Sequence, residues 1–270
     1  MILEPGKQPQ KLKSYLDSGK YKKVLIVFWH GVGDVIQFLN VLDRLKALYP
    51  AIHFDLGLQK GLDEETIYSE AILLPDLKNI EKDWDLTTLI HFPVETDPHL
   101  TKSELCCREE LGIEPVSGHK KLPNFPSPIV AVHFCLTALP GLANPSEEVA
   151  HKIWNEIHEV GLVPIEVHFS HIFDNPENKQ WNFVNCTVRS CQAKLSSLFG
   201  LLRVSRFFIG VVSGPFHSTL SILPPERILY LEKDIPLERF THLPVKKVDI
   251  KNYKDNSVRN WLNEQIKKGL

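Results

Sequence analysis

Residues 206–220 read RFFIGVVSGPFHSTL and combine an apolar run, a break and the beginning of a helix. The run over residues 207–212 is apolar and partly β-branched, which is typical of a buried strand. Ser213-Gly214-Pro215 ends the strand, and residues 216–222 favour a helix. A strand, a glycine turn and a helix N-terminus together form an anion site, because backbone N–H groups and the positive end of the helix dipole converge there.

Two side chains of this stretch are candidate ligands of such a site. Ser213 can cap the helix or bond a phosphate oxygen, and His217, about one turn further along, points back toward the same place. The alternative is an ordinary strand–helix turn with a capping serine and a packed histidine. A short glycine turn does not separate the two interpretations.

Composition excludes several classes of protein. The 270 residues are 43% hydrophobic and 24% charged, with a formal net charge of -2, so no general basic surface for nucleic acid is expected. No apolar run approaches the roughly 20 residues that span a bilayer, and the N-terminal sequence lacks a hydrophobic signal core. The odd set of five cysteines, without a Cys-x-x-Cys pair, favours a reducing compartment. We therefore expect a cytoplasmic protein.

The chain before residue 114 follows a strand–helix alternation. A buried strand over 21–29, a glycine turn over 30–34, an amphipathic helix over 35–49 and a strand over 52–58 predict a right-handed βαβ unit. Further elements are expected as a helix over 64–72, a strand over 86–92 and a helix over 101–111 with Ser103 as its cap. The proline-rich, aperiodic residues 114–128 predict a linker.

The alternation restarts after this linker. Strands are predicted over 129–134, 162–168 and 183–188, with 227–231 as the last strand, and helices over 193–204 and 257–268. One more helix is expected to begin with Asn144 as cap and Pro145 at its first position, and to end at Gly161. Two successive α/β runs predict two Rossmann-like lobes that face an interdomain cleft, residues 1–126 and 127–250, followed by a terminal helix in residues 251–270.

Two motifs resemble those of the family 9 glycosyltransferases, the lipopolysaccharide heptosyltransferases. The family's donor-site motif, Asp-(Ser/Thr)-Gly-Pro-x-His after a strand, matches at Ser213, Gly214, Pro215 and His217. The Gly33-Asp34 turn after the first strand, and the helix that follows it, match the family's first lobe. The resemblance implies an α/β protein of the glycosyltransferase-B type, with an acceptor-side first lobe, a nucleotide-sugar-binding second lobe and a terminal helix that packs back on the first lobe.

The resemblance also implies roles for residues. Asp34 corresponds to the base that takes the acceptor proton, while Ser213, Gly214, Pro215 and His217 would hold the diphosphate of a nucleotide-sugar donor. The leaving diphosphate would be neutralised without a metal, a cofactor or an Asp-x-Asp motif. The positions beside predicted strand ends make His133 a donor-side candidate and place His30, Gly33, Gln37 and His91 at the acceptor cleft. The histidines and Gln37 are equally explained as packing residues.

The chain departs from the family pattern in three ways. Val212 stands where the motif has aspartate. No basic residue precedes Asn144 and Pro145, and Lys152 is too deep in the helix to replace it. The first lobe is also short for the family.

The expected function is transfer of a sugar to a glycan or lipid-linked acceptor. A lipid acceptor would bring peripheral contact with the inner face of the cytoplasmic membrane.

Other interpretations stay open beside the transferase. The departures favour a non-catalytic protein that binds a nucleotide sugar or glycan, and a sugar-nucleotide epimerase shares the two-lobed architecture. A zinc site at His168 and His171 lacks a further ligand nearby. A dehydrogenase is disfavoured, since Ile36 stands where the third glycine of the dinucleotide motif belongs.

Overall fold

The computed structural model describes residues 2–3, 10–28, 30, 32–59, 71–74, 83–93, 97, 99–116, 118–119, 122–135, 140–167 and 195–270. The chain divides into two compact units, Met1–Lys120 with Glu238–His242 and Lys121–Leu237 with Leu243–Leu270. Each unit contains a 5-stranded sheet whose strands pair in parallel. The predicted α/β class is therefore confirmed.

The first unit forms its sheet around β2. Its elements are β1 (Ile2–Leu3), α1 (Leu12–Leu16), β2 (Lys23–Phe28), α2 (Val32–Leu48), β3 (His53–Gln59), β4 (Ala71–Leu74), β5 (Leu86–Leu89) and α3 (Lys102–Cys106), continued by a π-helical turn at Cys107–Leu111. The strand order is β1-β5-β2-β3-β4. From Val24 to Phe28, successive side chains of β2 are 0% exposed. Both faces of the strand are thus covered, as its uninterrupted apolar run predicts.

Helix α2 begins earlier than its apolar periodicity predicts. It starts at Val32, so Gly33 and Asp34 lie in its first turn and not in a preceding turn. An aspartate is favourable there because its charge interacts with the positive end of the helix dipole. The predicted apolar stripe is confirmed, since Val35, Phe38 and Leu45 are buried.

Two other predictions for the first unit are wrong. Residues 71 and 72 belong to β4, which pairs with β3, and not to a helix over 64–72, whose other residues lie outside the described part. Helix α3 is capped by Thr101 and not by Ser103. The Thr101 side chain accepts the Glu104 N–H while the Glu104 carboxylate accepts the Thr101 N–H, a reciprocal capping box.

The second unit forms its sheet around β8. Its elements are β6 (Ile129–His133), α4 (Pro140–Ala143), α5 (Glu147–Glu159), β7 (Val163–Glu166), α6 (Leu195–Val204), β8 (Ser205–Gly210), α7 (Gly214–Ile222), β9 (Ile228–Glu232), β10 (Lys246–Asp249) and α8 (Ser257–Lys267). The strand order is β10-β9-β8-β6-β7. The strand predicted over 227–231 is confirmed as β9, but it is not the last, because β10 extends the sheet beyond it.

Two elements of this unit have different ends from those predicted. Strand β8 ends at Gly210, so residues 211 and 212 lie outside it. Ser146 and not Asn144 caps α5, because the Ser146 hydroxyl accepts the N–H of Val149. The predicted stop at Gly161 is confirmed by its φ of 77°, a left-handed conformation that glycine adopts without strain.

Helix α8 occupies the predicted span and packs against α5 in the second unit. Its predicted packing on the first lobe stays a prediction. The strand predicted over 183–188 lies outside the described residues. Within the described residues, no helix is both long and apolar enough to cross a membrane.

Candidate functional site

The predicted donor side lies at the N-terminus of α7. Ser213 is fully extended, with φ -174° and ψ 177°, and it connects the end of β8 to the helix. Its hydroxyl accepts the N–H of Phe216 at 3.4 Å and donates to the Val211 carbonyl at 3.3 Å. The Ser213 carbonyl accepts the N–H of His217 at 3.1 Å. Ser213 is therefore the N-cap, the structural role that the sequence left open for it.

This cap uses much of the donor capacity of the helix N-terminus. A helix leaves its first N–H groups without intrahelical acceptors, but in α7 Pro215 has no N–H and the Phe216 N–H binds Ser213. The Gly214 N–H is the remaining first-turn donor that the helix itself does not use. An anion at this end would thus be held by the Gly214 N–H together with the helix dipole and side chains.

Strand register brings His133 to the same sheet edge. His133 ends β6 and pairs in register with Gly210, the last residue of β8. Its Nδ1 lies 2.7 Å from the Val167 carbonyl oxygen, and since a carbonyl only accepts, Nδ1 carries the proton. His133 is 1% and His217 3% exposed. Both predicted donor-side histidines are buried, and the His217 ring packs against Phe216.

Gly210 and Val212 show why this turn has its composition. A Cβ on Gly210 would stand 2.7 Å from the His133 carbonyl oxygen, so two neighbouring backbones approach closely here. Val212 is 4% exposed. A carboxylate at that position would need buried partners for its charge, whereas the valine side chain is simply apolar contact area.

The loop before α5 receives a basic residue that sequence reasoning missed. Lys233 follows β9 directly and donates from Nζ to the carbonyl of Asn144 at 3.2 Å. Lys152, which is too deep in the predicted helix to be this residue, instead pairs with Glu148 at 2.9 Å and Asp255 at 3.2 Å. No sequence signal indicates Lys233, because it lies 89 residues from Asn144.

The predicted acceptor side gathers around Asp34. His30 follows β2 and His91 follows β5, and these two strands are neighbours in the sheet. His30 Nδ1 lies 3.3 Å from Asp34 Oδ2, and His91 Nδ1 lies 3.2 Å from His30 Nε2. The structure therefore brings three of the sequence-predicted residues together: we call His30, Asp34, His91 and the lysine described next the Asp34 cluster.

Lys102 completes this cluster and was missed by sequence reasoning. Its Nζ lies 3.3 Å from Asp34 Oδ1 although the residues are 68 positions apart. Lys102 is the first residue of α3. A cation at a helix N-terminus is unfavourable with respect to the helix dipole, so a compensating anion could have been suspected there. Of the other acceptor-side candidates, Gly33 is buried and Gln37 is only 1% exposed, deep in the packing of α2.

Burial affects the acid–base behaviour of His91. The pKa of His91 lies below its usual range, first because its burial disfavours the charged ring and second because His30 is close by. The neutral ring is a hydrogen-bond acceptor on one nitrogen, so His91 is available to accept a proton or a hydrogen bond from a substrate hydroxyl.

The expectation of no Asp-x-Asp motif is wrong, because Asp83-Trp84-Asp85 has that pattern. Its role in the structure is local. Asp85 Oδ2 accepts the N–H groups of Lys22 and Lys23 at 2.7 Å and 2.9 Å, and these bonds lower the pKa of Asp85. Asp85 precedes β5, so the motif lies at the amino end of the strands and Asp34 at their carboxyl end.

Within the described residues, no group of three or more His, Cys, Asp or Glu is arranged to hold a metal ion. His168 and His171, the pair considered for zinc, lie outside the described part of the chain.

Comparison with known proteins shows the fold. No protein-family model and no curated protein sequence matches the chain. Among solved structures, it is similar to the iron-containing dodecameric glycosyltransferase TibC from enterotoxigenic E. coli, with a TM-score of 0.67, 15% identity, and coverage of 97% of this chain and 79% of that one. It is also similar to the E. coli heptosyltransferase WaaC with ADP, with a TM-score of 0.61, 12% identity, and coverage of 92% and 100%. A glycosyl transferase family 9 protein from Veillonella parvula follows, at a TM-score of 0.58, 13% identity, and coverage of 92% and 96%. The chain thus resembles family 9 glycosyltransferases in fold.

Proposed function

We propose that the chain is a glycosyltransferase that moves a sugar from a nucleotide-diphosphate donor to a glycan or lipid-linked acceptor. The observation that carries this proposal is the Asp34 cluster at the carboxyl end of β2. A carboxylate between a lysine and a histidine, each 3.3 Å away, stands where α/β sheets bind their ligands. Its fold neighbours support the proposal, since one is described as a heptosyltransferase in complex with ADP-heptose.

In the proposed reaction, Asp34 accepts the proton of the acceptor hydroxyl. The hydroxyl oxygen forms a bond to the anomeric carbon of the donor sugar while the bond from that carbon to the diphosphate oxygen breaks. The electron pair of the broken bond leaves with the nucleoside diphosphate. We assign the acceptor side to residues 1–126, with His30, Gly33, Gln37 and His91 beside Asp34, and the donor side to residues 127–250.

The departing diphosphate needs positive charge, and no metal is required by this scheme. After β8, the diphosphate would contact the Gly214 N–H, the positive end of the α7 dipole and His217. Ser213 and Pro215 would shape the turn. His133 lies at the next strand end. Lys233 follows β9 and replaces the basic residue that the family carries before Asn144. We expect these groups to face Asp34 across an interdomain cleft.

The direct test is Asp34→Asn. Donor binding is first found by a thermal-shift panel of nucleotide sugars, because a bound ligand raises the melting temperature with occupancy. Turnover is then followed as release of nucleoside diphosphate with glycan and lipid acceptors. The variant should lose at least ~100-fold in kcat, the usual contribution of a general base, with donor binding retained. Near wild-type turnover at saturating substrates would remove Asp34 from the role of base.

Asp43→Asn is the matched control, because Asp43 lies on the same helix and is exposed. It should turn over like the wild type. Lys233→Met tests the donor side and should weaken binding of nucleotide sugars while binding of the acceptor is unchanged.

A second function is favoured by one feature of the donor turn. The buried Val212 in place of an acid, together with the Ser213 hydroxyl engaged as a cap, reduces the groups available to a donor. These features suit a protein that binds a nucleotide sugar without transferring it. Donor binding with no release of nucleoside diphosphate for any acceptor would support this function over the transferase.

A further inference from the structure

The Asp34 carboxylate has a basic partner on each of its two oxygens. Lys102 Nζ lies 3.3 Å from Oδ1 and His30 Nδ1 lies 3.3 Å from Oδ2. The side chains of Lys102, His30 and Asp34 are 28%, 18% and 22% exposed. The Lys102–Asp34 ion pair is largely removed from water, so its attraction is stronger than that of an exposed pair. Each of the two carboxylate oxygens thus has its own basic neighbour.

The proton on His30 faces Asp34. The backbone N–H of Phe92 donates to His30 Nε2 at 3.2 Å, and a backbone N–H can only donate. Nε2 is therefore an acceptor, so the proton of the neutral ring is on Nδ1, the atom beside Asp34. His91 Nδ1 lies 3.2 Å from the same Nε2 and is consequently a donor as well. The His30 ring also stacks on Phe28, with ring centroids 4.4 Å apart, which restricts its rotation.

Lys102 also contacts an aromatic ring. Its ammonium lies 5.4 Å from the centroid of the Phe240 ring, a cation–π contact. Phe240 belongs to the segment Glu238–His242, which packs in the first unit although the chain on both sides of it belongs to the second. In the same segment, His242 Nε2 lies 2.8 Å from Glu104 Oε2 on α3. The first turn of α3 is thus fixed by the Thr101–Glu104 capping box and by this returning segment.

We propose that Lys102 and His30 are positioning residues that hold the Asp34 carboxylate in one orientation, and that Phe240 and the Phe92 N–H fix these two side chains in turn. The inference rests on the proposed role of Asp34 as the proton acceptor. Its physical reason is that a base must present an oxygen lone pair to the acceptor hydroxyl, and misplacement by about 1 Å can cost about 100-fold in rate. A nearby ammonium also favours the ionised carboxylate, which is the form able to accept a proton.

The lysine is tested by Lys102→Met and Lys102→Arg. Methionine keeps an unbranched apolar chain without charge and should lower kcat by about 100-fold, with the KM values of donor and acceptor little changed. Arginine keeps the charge and should restore most of the lost kcat. Lys22→Met is the control, because Lys22 is an exposed lysine of the same unit. Phe240→Leu should give a smaller loss in kcat than Lys102→Met.

The histidine is tested by His30→Asn and His30→Phe. Asparagine can place an N–H near the position of Nδ1, whereas phenylalanine keeps only the stacking on Phe28. His30→Asn should therefore retain more kcat than His30→Phe. Equal losses in both variants, with unchanged melting temperatures, would show that the N–H toward Asp34 is irrelevant.

A measurement that needs no turnover separates this proposal from the proposed function. In protein with ¹³C-labelled aspartate, the chemical shift of the Asp34 carboxyl carbon at neutral pH should differ between Lys102→Met and the wild type, because the ammonium beside Oδ1 is gone. An identical chemical shift in the two proteins overturns the positioning role of Lys102 even if the protein transfers no sugar. Conversely, a changed chemical shift in Lys102→Met, together with a wild type that never releases nucleoside diphosphate, overturns the proposed function alone. An active wild type matched by Lys102→Met overturns the inference alone.

Discussion

The carboxylate of Glu156 on α5 accepts the backbone N–H of Val258 on α8 at 3.0 Å, across 102 residues of sequence. The same carboxylate accepts the N–H groups of Asn256 at 2.8 Å and Arg259 at 2.9 Å, and the hydroxyl of Tyr253 at 3.0 Å. The N-cap residue of α8, Asn256, makes no side-chain cap bond. A glutamate of another helix therefore does what a local N-cap usually does.

We expect Glu156→Ala to lower the free energy of unfolding by about 3 kcal/mol. Glu156 is 5% exposed, and its removal leaves the N–H groups of α8 without a charged acceptor. The midpoint and slope of urea denaturation measure the change. Glu159→Gln is the matched control, since Glu159 also joins α5 to α8, through Arg259, but its side chain is 50% exposed. That exposed pair should contribute at most about 1 kcal/mol, and equal losses in the two variants would contradict the assigned role of Glu156.

Gly210→Ala should destabilise the second unit. The new methyl group would stand 2.7 Å from the His133 carbonyl oxygen and 2.8 Å from the Phe208 ring, so backbone or ring must move, at a cost of roughly 1–3 kcal/mol. Gly200→Ala is the control. Gly200 lies inside α6, and a Cβ added there would meet no atom within 4 Å apart from the backbone of its own helix. This substitution should instead stabilise by about 0.5–1 kcal/mol. A melting temperature below that of the wild type for Gly210→Ala and above it for Gly200→Ala would confirm the contrast. An unchanged melting temperature for Gly210→Ala would contradict it.

His91 should make the protein less stable as the pH falls below about 6.5. The pKa of His91 in the folded chain is lower than its ordinary value of 6.5, so below that value the unfolded chain binds more protons and folding is opposed. The stabilisation is present above pH 6.5 and is lost as the pH falls through the folded pKa. Urea denaturation at a series of pH values between 7.5 and 5 measures this slope. His91→Asn should flatten it, and an unchanged slope would show that another group causes it.

The pKa lowering of Glu104 belongs to a different pH range. Burial raises the pKa of its carboxyl, but bonds from Thr101 and His242 outweigh burial and leave it below 4.5. The corresponding stability is lost only as the pH falls through that lower value, so it does not contribute to the window assigned to His91.

Cysteine labelling should be slow in the folded protein. Burial raises the pKa of Cys107 and of Cys135 to about 11, and raises that of Cys106 well above its ordinary value. The thiolate is the reactive form, so its population at pH 8 is small. Iodoacetamide labelling at pH 8, followed by peptide mass spectrometry, should modify these cysteines only after unfolding. Rapid labelling of Cys106 or Cys107 in the native protein would contradict their burial.

Elements with strong apolar periodicity could be predicted from the sequence, and those defined by long-range contacts could not. The central strand β2, the helix α2 and the terminal helix α8 follow directly from their patterns. Strand β10 was missed because its sequence, KKVD, is charged and half exposed at the sheet edge. The caps of α3 and α5 were misplaced because several adjacent residues could serve, and only backbone geometry selects Thr101 and Ser146.

The candidate site shows the same division. Asp34, His30 and His91 could be found because each follows or begins an element at a predictable strand end. The start of α3 at Lys102 indicates that a cation there needs an anion, but nothing local identifies Asp34 as that anion, because the pairing depends on how α3 packs beside α2. The Lys102–Asp34 and His30–His91 contacts of the Asp34 cluster are thus tertiary features.

The returning segment Glu238–His242 affects the order in which the protein can fold during synthesis. Phe240 and His242 reach the first unit only after residues Lys121–Leu237 of the second unit have been translated. A nascent chain released at residue 120 would have the strands of the first sheet but neither the ring beside Lys102 nor the imidazole beside Glu104. The first unit can therefore be completed only by a segment that is synthesised after residue 237, long after the other residues of that unit.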